Sequence, residues 1–182
     1  KEINKNKDVC FGYKLDVSDK DNIKSVIGKI IKNHSQLDML INNAGIAFPT
    51  AIDDEGYEER WASTIDILLT SQMRIIRAAL PYIKKSSCPR IINISSTEGF
   101  GATPMHSPYT SAKHGVIGLT RSLAVELGPQ GITVNCICPG PINTNMTAAI
   151  DKEAKDKYSR RRVPLGRYGE PEEVAHATLN IC

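Results

Sequence analysis

A tyrosine and a lysine lie four residues apart in this sequence, at Tyr109 and Lys113. On a helix, residues at this spacing share a face, so the phenol and the ammonium would be neighbours. A nearby positive charge favours tyrosinate and lowers the pKa of a tyrosine. A tyrosine whose pKa is brought toward neutrality can act as a general acid or base. The pair predicts proton-transfer chemistry, although the same spacing is also typical of an ordinary surface contact.

Other polar residues follow segments that have the composition of buried strands. They are Asp16, the Asn-Asn-Ala-Gly run at 42–45, Ser95 with Ser96, and the Pro-Gly-Pro-Ile-Asn-Thr run at 139–144. Each also has a purely local interpretation. An aspartate before a helix can be only a cap, and asparagine, glycine or proline after a strand can be only a turn.

Short apolar segments alternate with segments of helical periodicity along the chain. Strands are predicted at 9–15, 37–42, 90–95 and 132–138, and helices at about 57–84 and 109–127. Between the first two strands, Ile23, Val26 and Ile27 begin a helical pattern with Ser18 as its predicted N-cap. Residues 143–167 are predicted to be irregular or weakly helical, and a last helix opens near Pro171.

This alternation predicts a single Rossmann-like α/β domain over residues 1–182, with a doubly wound parallel sheet and right-handed crossovers. The near-continuous apolar character of 37–42 is typical of a strand covered on both faces. In such sheets ligands bind beyond the carboxyl ends of the strands, where all the polar runs described above fall.

Taken in order and at their spacing, the strand-end runs and the Tyr-Thr-Ser-Ala-Lys run at 109–113 resemble the motifs of the short-chain dehydrogenase/reductase family. The resemblance extends from about residue 8 onward. The Pro-Leu-Gly-Arg run at 164–167 is similar to the classical branch of the family, which includes 3-oxoacyl-acyl-carrier-protein reductases.

The resemblance implies an oxidoreductase that transfers a hydride between NAD or NADP and a ketone or secondary alcohol. Tyr109 would be the general acid or base, Ser96 would hydrogen-bond the substrate oxygen, and Lys113 would lower the pKa of Tyr109 and bind the nicotinamide ribose. The cofactor would also contact Asp16, Val17, Asn43, Ile142 and Thr144. A homodimer or homotetramer is implied as well. Ser96 lacks the Gly-x-Ser-x-Gly setting of a hydrolase serine.

The sequence departs from the family pattern in two ways. The glycine-rich turn that holds the cofactor pyrophosphate is not in these residues, nor is the final strand, so we expect part of a longer protein with an incomplete sheet. Leu68 stands where the family usually has an asparagine that helps to hold a water in the proton relay from Lys113. Leucine cannot hydrogen-bond, so we expect lower turnover of the same reaction. The alternative to an active oxidoreductase is a non-catalytic member of the family that keeps the scaffold for nucleotide or partner binding.

The composition excludes several other classes of protein. With 23 basic and 20 acidic side chains spread along 182 residues, the chain has no concentrated basic face for a nucleic acid. No apolar run approaches the ~20 residues that a membrane helix needs. The five cysteines have no metal-ligand spacing, and Cys136 and Cys138 have the character of buried apolar filler. We therefore expect a cytoplasmic protein without a metal ion.

Overall fold

The computed structural model describes residues 10–182 and contains a three-stranded parallel sheet. The strands are β1 (Met39–Asn42), β2 (Arg90–Ile94) and β3 (Thr133–Ile137), in the order β1-β2-β3. Their register aligns Leu40 with Ile91 and Ile91 with Val134. The predicted α/β fold with a parallel sheet is confirmed, and three of the four predicted strands form within two residues of their predicted bounds.

Six α-helices connect or flank the strands within the described residues. They are α1 (Lys20–His34), α2 (Tyr57–Ile65), α3 (Ser71–Ile83), α4 (Ser107–Leu127), α5 (Lys152–Arg162) and α6 (Pro171–Leu179). One buried cluster joins Ile23 of α1, Ile76 of α3 and Ile91 of β2, and Leu127 closes it at the end of α4. Burial of these aliphatic side chains fixes α1, α3 and α4 against the strands.

The strand predicted at 9–15 is wrong for the residues that the structure describes. Val9 lies outside them, and residues 10–15 have no regular secondary structure. A strand exists only through ladder hydrogen bonds with a neighbour, and β1 is paired with β2 alone among the described strands. Leu15 and Val17 still pack against the buried cluster.

The N-cap of α1 is Asp19, not the predicted Ser18. The Asp19 carboxylate accepts hydrogen bonds from the backbone N–H groups of Asp21 and Asn22, at 2.8 and 3.0 Å. Ser18 is instead engaged by Asp16, whose carboxylate accepts from both the backbone N–H and the hydroxyl of Ser18. Either residue type can cap a helix, so their order in the sequence did not decide between them.

The long helix predicted at 57–84 is interrupted by one π-helical turn, Asp66–Thr70, between α2 and α3. A π turn holds an extra residue, so it rotates the following face by about 100° relative to a continuous α-helix. The predicted apolar face is broken accordingly: Trp61 and Met73 are 39% and 36% exposed, whereas Ile75, Ile76 and Ala79 are buried.

Two smaller predictions also need correction. The prediction that strand 37–42 is covered on both faces is wrong for this structure, because Met39 and Ile41 of β1 are 38% and 46% exposed, whereas Ile91 and Ile92 of β2 are fully buried. The stretch predicted to be irregular or weakly helical contains α5, which begins at an N-cap: the Asp151 side chain accepts from the backbone N–H of Ala154.

Candidate active site

The loop after β2 holds Ser96 between two hydrogen bonds to the end of β3. The backbone N–H of Ser95 donates to the Ile137 carbonyl at 2.7 Å, and that of Thr97 donates to the Pro139 carbonyl at 2.9 Å. Ser96 is fully extended, and its Oγ accepts from the backbone N–H of Glu98 at 3.1 Å. These contacts fix the Ser96 hydroxyl at the carboxyl edge of the sheet.

Helix α4 brings Tyr109 and Lys113 to the same place. Pro108 in its first turn suits a helix start, because proline lacks the N–H that would be unpaired there. The phenol of Tyr109 lies close enough to the Ser96 hydroxyl for the serine to lower the pKa of the phenol. The Lys113 Nζ lies 5.5 Å from the centroid of the Tyr109 ring. The structure therefore brings the three predicted catalytic side chains together.

The Lys113 side chain is buried, with 5% of its surface exposed. Its Nζ donates to the Ile94 carbonyl at 2.9 Å, at the end of β2. Burial lowers the pKa of Lys113 to about 8, because the charged ammonium loses hydration. The sulfur atoms of Cys136 and Cys138 act in the opposite direction and raise this pKa.

The prediction that Lys113 lowers the pKa of Tyr109 is wrong for this structure. Burial raises the pKa of Tyr109 above its ordinary value, and the carboxylate of Glu98 raises it further, while the Ser96 hydroxyl opposes them. The lysine approaches the face of the phenol ring and gives its hydrogen bond to a backbone carbonyl. Spacing on a helix predicted the contact but not which part of the tyrosine would receive the charge.

Glu98 is a site residue that the sequence reasoning missed. Its carboxylate accepts from the hydroxyl of Thr103 and, at 2.8 Å, from that of Thr110. It thereby ties the loop that carries Ser96 to the first turns of α4, next to Tyr109. A glutamate in a loop carries no distinctive signal, so nothing in the sequence pattern points to this role.

A buried polar chain lies beneath the site. Asn42 Nδ2 donates to Asn93 Oδ1, and Asn93 Nδ2 donates to Thr120 Oγ1, both at 2.9 Å. Thr120 in turn donates to the Val116 carbonyl at 2.8 Å. The signal was present in the sequence, because Asn42 and Asn93 are amides within otherwise apolar strands.

The residues predicted to contact the cofactor lie in separate loops. Asn43 follows β1 and is exposed, and Thr144 is exposed at the start of a short 3₁₀ turn. Ile142 bridges to Gly169.

Asp16 is exposed, and its two hydrogen bonds from Ser18 lower the pKa of its carboxyl group. Val17 packs against the hydrophobic cluster. Asn43, Ser96, Ile142 and Thr144 share the carboxyl edge of the sheet, while Asp16 lies before α1.

Leu68 lies in the π turn and is fully buried. Its Cδ2 is 3.3 Å from where a Cβ on Gly45 would stand, so this side chain packs against the turn after β1. The Leu68 carbonyl accepts from Gln72 Nε2 at 3.0 Å. The predicted effect of Leu68 on turnover stays a prediction.

Comparison with known proteins agrees with this architecture. A family model described as enoyl-(acyl carrier protein) reductase matches residues 1–182. The 3-oxoacyl-[acyl-carrier-protein] reductase FabG of Thermotoga maritima is 38% identical over 170 residues, which span 93% of this chain and 68% of that relative. The chain belongs to the short-chain dehydrogenase/reductase family. The family predicted from the motifs is thus confirmed, and with it the prediction of an NAD(P)-dependent oxidoreductase.

Two further relatives show the range of the family around this chain. The monensin polyketide synthase putative ketoacyl reductase of Streptomyces virginiae is 37% identical over 176 residues, covering 90% of this chain and 67% of its own length. The ligand-free aldohexose dehydrogenase of Thermoplasma acidophilum superposes with a TM-score of 0.86 at 31% identity, covering 93% of this chain and 69% of that structure.

Residues 10–182, which the structure describes, provide neither a membrane span nor a metal-binding cluster. No helix there is both long and apolar enough to cross a membrane. Nor do three or more histidine, cysteine, aspartate or glutamate side chains gather there in a group that could hold a metal ion.

Proposed function

We propose that this enzyme reduces a ketone to a secondary alcohol with NADPH, using Tyr109 as the proton donor, Ser96 to hold the substrate oxygen, and Lys113 to position the reacting groups. One observation carries the proposal: the Ser96 hydroxyl, the Tyr109 phenol and the Lys113 ammonium converge at the carboxyl edge of a parallel sheet. Ligands bind at this edge in doubly wound folds.

The residues present fit a nicotinamide cofactor. Asp16 is exposed and its carboxylate is ionised at neutral pH, as an acceptor for an adenine amino group requires. Asn43 and Thr144 are exposed at the same edge as Ser96, where they can contact ribose and carboxamide groups. A structure of ElxO with NADP bound, which superposes with a TM-score of 0.85 at 34% identity over 93% of this chain and 69% of its own, supports the phosphorylated cofactor. The bound cofactor supplies the hydride.

The chain's own residues complete the reaction by stabilising and protonating the substrate oxygen. Negative charge builds on that oxygen as a carbonyl is reduced, and the Ser96 and Tyr109 hydroxyls can both donate to it. The Tyr109 phenol is protonated at neutral pH, as a proton donor in the direction of reduction requires; burial raises its pKa in this structure, which makes it a weaker acid than an ordinary tyrosine. Lys113, held by the Ile94 carbonyl, keeps a cation against the phenol ring.

The loop between Ser96 and Tyr109 supports a 3-oxoacyl thioester as the substrate class. Phe100 and Met105 in this loop are 67% and 54% exposed. Apolar side chains beside the reacting groups favour an acyl chain over a sugar. The reductases of Thermotoga maritima and Streptomyces virginiae are also named for oxoacyl or ketoacyl reduction.

The test is Tyr109→Phe in the full chain, with NADPH oxidation followed by absorbance in the presence of a 3-oxoacyl thioester. Loss of the proton donor should lower kcat by about 100-fold or more, since general acid catalysis contributes 10²- to 10⁴-fold. Tyr158→Phe removes a hydroxyl from an exposed tyrosine and should leave kcat unchanged. Equal turnover by the wild type and Tyr109→Phe would refute the assignment.

Titration calorimetry separates this proposal from the non-catalytic alternative. Binding of NADPH without turnover of any ketone or alcohol would favour a scaffold that only binds nucleotide. The intact constellation of Ser96, Tyr109 and Lys113 argues against that outcome. The predicted homodimer or homotetramer stays a prediction, which the exposed apolar side chains of Met73 and Val125 on α3 and α4 support.

A further inference from the structure

We propose that Cys136 and Cys138 form a dithiol–disulfide switch that peroxide closes and thiols reopen, and that the closed form disables the neighbouring active site. The structural part of this proposal concerns the two cysteines alone. The regulatory part rests on the proposed function.

The geometry places the two thiols within reach of each other. Cys136 lies in β3 and Cys138 just beyond its end, so alternate side chains project to the same side. Their sulfur atoms are 3.9 Å apart. Residues two apart on a strand have Cα atoms about 6.6 Å from each other, at the upper end of the range that disulfides span. Both cysteines are half-buried, so a small oxidant can reach them.

The pair is also attached directly to the loop that carries the catalytic serine. Ile137 and Pro139, the two neighbours of Cys138, accept the hydrogen bonds from Ser95 and Thr97, the two neighbours of Ser96. Because the Cα separation is near the upper limit for a disulfide, closing the sulfur distance from 3.9 Å to a bond of about 2 Å restrains the backbone around Cys138. Ser96 is tied to that backbone by the two hydrogen bonds, so we expect its position to change with the restraint.

Lys113 and the buried polar chain provide a second connection. Both cysteine side chains act electrostatically on the Lys113 ammonium. The hydroxyl of Thr120, the last member of the polar chain from Asn42 and Asn93, lies close enough to Cys136 to lower the pKa of its thiol. A disulfide removes both thiols and therefore changes the surroundings of Lys113 as well as the position of Ser96.

The chemical step is a two-electron oxidation by hydrogen peroxide. One thiol loses its proton, its thiolate attacks a peroxide oxygen, the O–O bond breaks, and a sulfenic acid forms while the departing hydroxide takes up that proton as water. The second thiol ionises in the same way and its thiolate attacks the sulfenic sulfur; the S–S bond forms, and the displaced hydroxide takes up the second proton and leaves as water. Overall, two thiols lose two hydrogen atoms and one peroxide becomes two waters. A dithiol reductant reverses the step by thiol–disulfide exchange.

The rate of closure is limited by the scarcity of thiolate. Burial raises the pKa of Cys136 to about 11, with Cys138 beside it as a further cause. Since the thiolate is the reactive form, the switch responds to sustained oxidant rather than to traces.

The experiment treats the full chain with hydrogen peroxide and maps its disulfides by differential alkylation and mass spectrometry, with NADPH-dependent reductase activity measured in parallel. We expect a Cys136–Cys138 bond and a loss of kcat of about tenfold or more, since a displacement near 1 Å can cost as much as 100-fold. Dithiothreitol should restore both the thiols and the activity.

Two variants decide whether this pair is responsible. Cys88→Ser removes another half-buried thiol, outside the pair, and should oxidise and recover like the wild type. Cys138→Ser should form no bond at Cys136 and lose the reversible inactivation. Mapping in the unsubstituted chain does not depend on how well either variant folds.

The outcomes separate this inference from the proposed function. Absence of a Cys136–Cys138 bond under oxidant overturns the switch, and so does a bond that leaves kcat unchanged. If the reduced chain has no reductase activity at all, the proposed function fails and the regulatory part fails with it. The disulfide map then still decides whether the two thiols couple.

Discussion

Two opposing influences meet at the Tyr109 phenol. Burial and the Glu98 carboxylate raise its pKa, while the Ser96 hydroxyl lowers it. For a reductase that donates a proton from this residue, activity falls as the pH rises through the pKa of Tyr109. Glu98 acts on Tyr109 electrostatically rather than through a hydrogen bond, so it is a positioning and tuning residue.

Glu98→Gln tests this influence. The change removes a negative charge, so the pKa of Tyr109 should fall, and the alkaline limb of the kcat/KM profile should move to lower pH. An amide can still bond to the hydroxyls of Thr103 and Thr110, which preserves the loop. Glu126→Gln on the exposed face of α4 is the matched control. If the alkaline limb of the kcat/KM profile moves equally in both variants, or moves in neither, Glu98 does not raise the pKa of Tyr109.

The sequence was most informative about residues that belong to several motifs occurring in a fixed order. Tyr109, Lys113 and Ser96 were found from ordered motifs, and the structure brings them together. The direction of the Tyr109 pKa was not predictable, because it depends on burial and on the orientation of Lys113. Those properties arise only from tertiary packing.

At the scale of elements, β1, β2 and α4 are joined by the polar chain of Asn42, Asn93 and Thr120. Each of these side chains is at most 6% exposed. A buried amide without partners costs about 1–3 kcal/mol. These three hydrogen-bonded side chains therefore fix the relative positions of two strands and the helix that carries Tyr109 and Lys113, rather than adding much to net stability.

Asn93→Ala should lower the free energy of unfolding by about 2 kcal/mol, because it leaves the Asn42 amide buried without its acceptor. Asn135→Ala in β3 is the control. Asn135 is only partly buried, and its contact with Thr133 is a weak 3.5 Å, so we expect a change within about 0.5 kcal/mol. Urea unfolding of the two variants measures the difference. Equal losses would show that the buried chain has no special structural role.

Helices and strands were predicted correctly where a local sequence pattern determines them. The prediction failed where the structure depends on pairing with another strand. The apolar runs of β2 and β3 identified these strands. The segment 10–15 also contains residues that favour strands, such as Phe11 and Tyr13, but it has no neighbour to pair with among the described strands. The π turn at Asp66–Thr70 escaped prediction because the apolar pattern on either side of it fits a continuous helix equally well.

For the whole molecule, the active site is also a source of instability. Lys113 has a pKa of about 8 in the folded chain against 10.5 for an ordinary lysine, because it is buried. Between these values the unfolded chain binds a proton that the folded chain has released. Stability attributable to Lys113 therefore rises with pH across this window, and the destabilising effect is fully present below pH 8.

Comparison of wild type with Lys113→Met isolates this effect. From pH 7 to 9.5 the free energy of unfolding of the wild type should gain about 2 kcal/mol relative to the variant, from the linkage relation and the two pKa values. Tyr109 and Cys136 have raised pKa values, which oppose this gain at the alkaline end in both proteins. Subtracting the two curves removes most of their contribution.

Lys85→Met, at an exposed lysine just after α3, removes the same charge without burial and should follow the wild type across this range. Urea unfolding at several pH values provides the measurement. A flat difference between wild type and Lys113→Met would mean that Lys113 keeps its proton in the folded chain as readily as in water. Burial of the Lys113 ammonium would then not lower the free energy of unfolding. In that case the position of Lys113 beside Tyr109 would not reflect stability given up for catalysis.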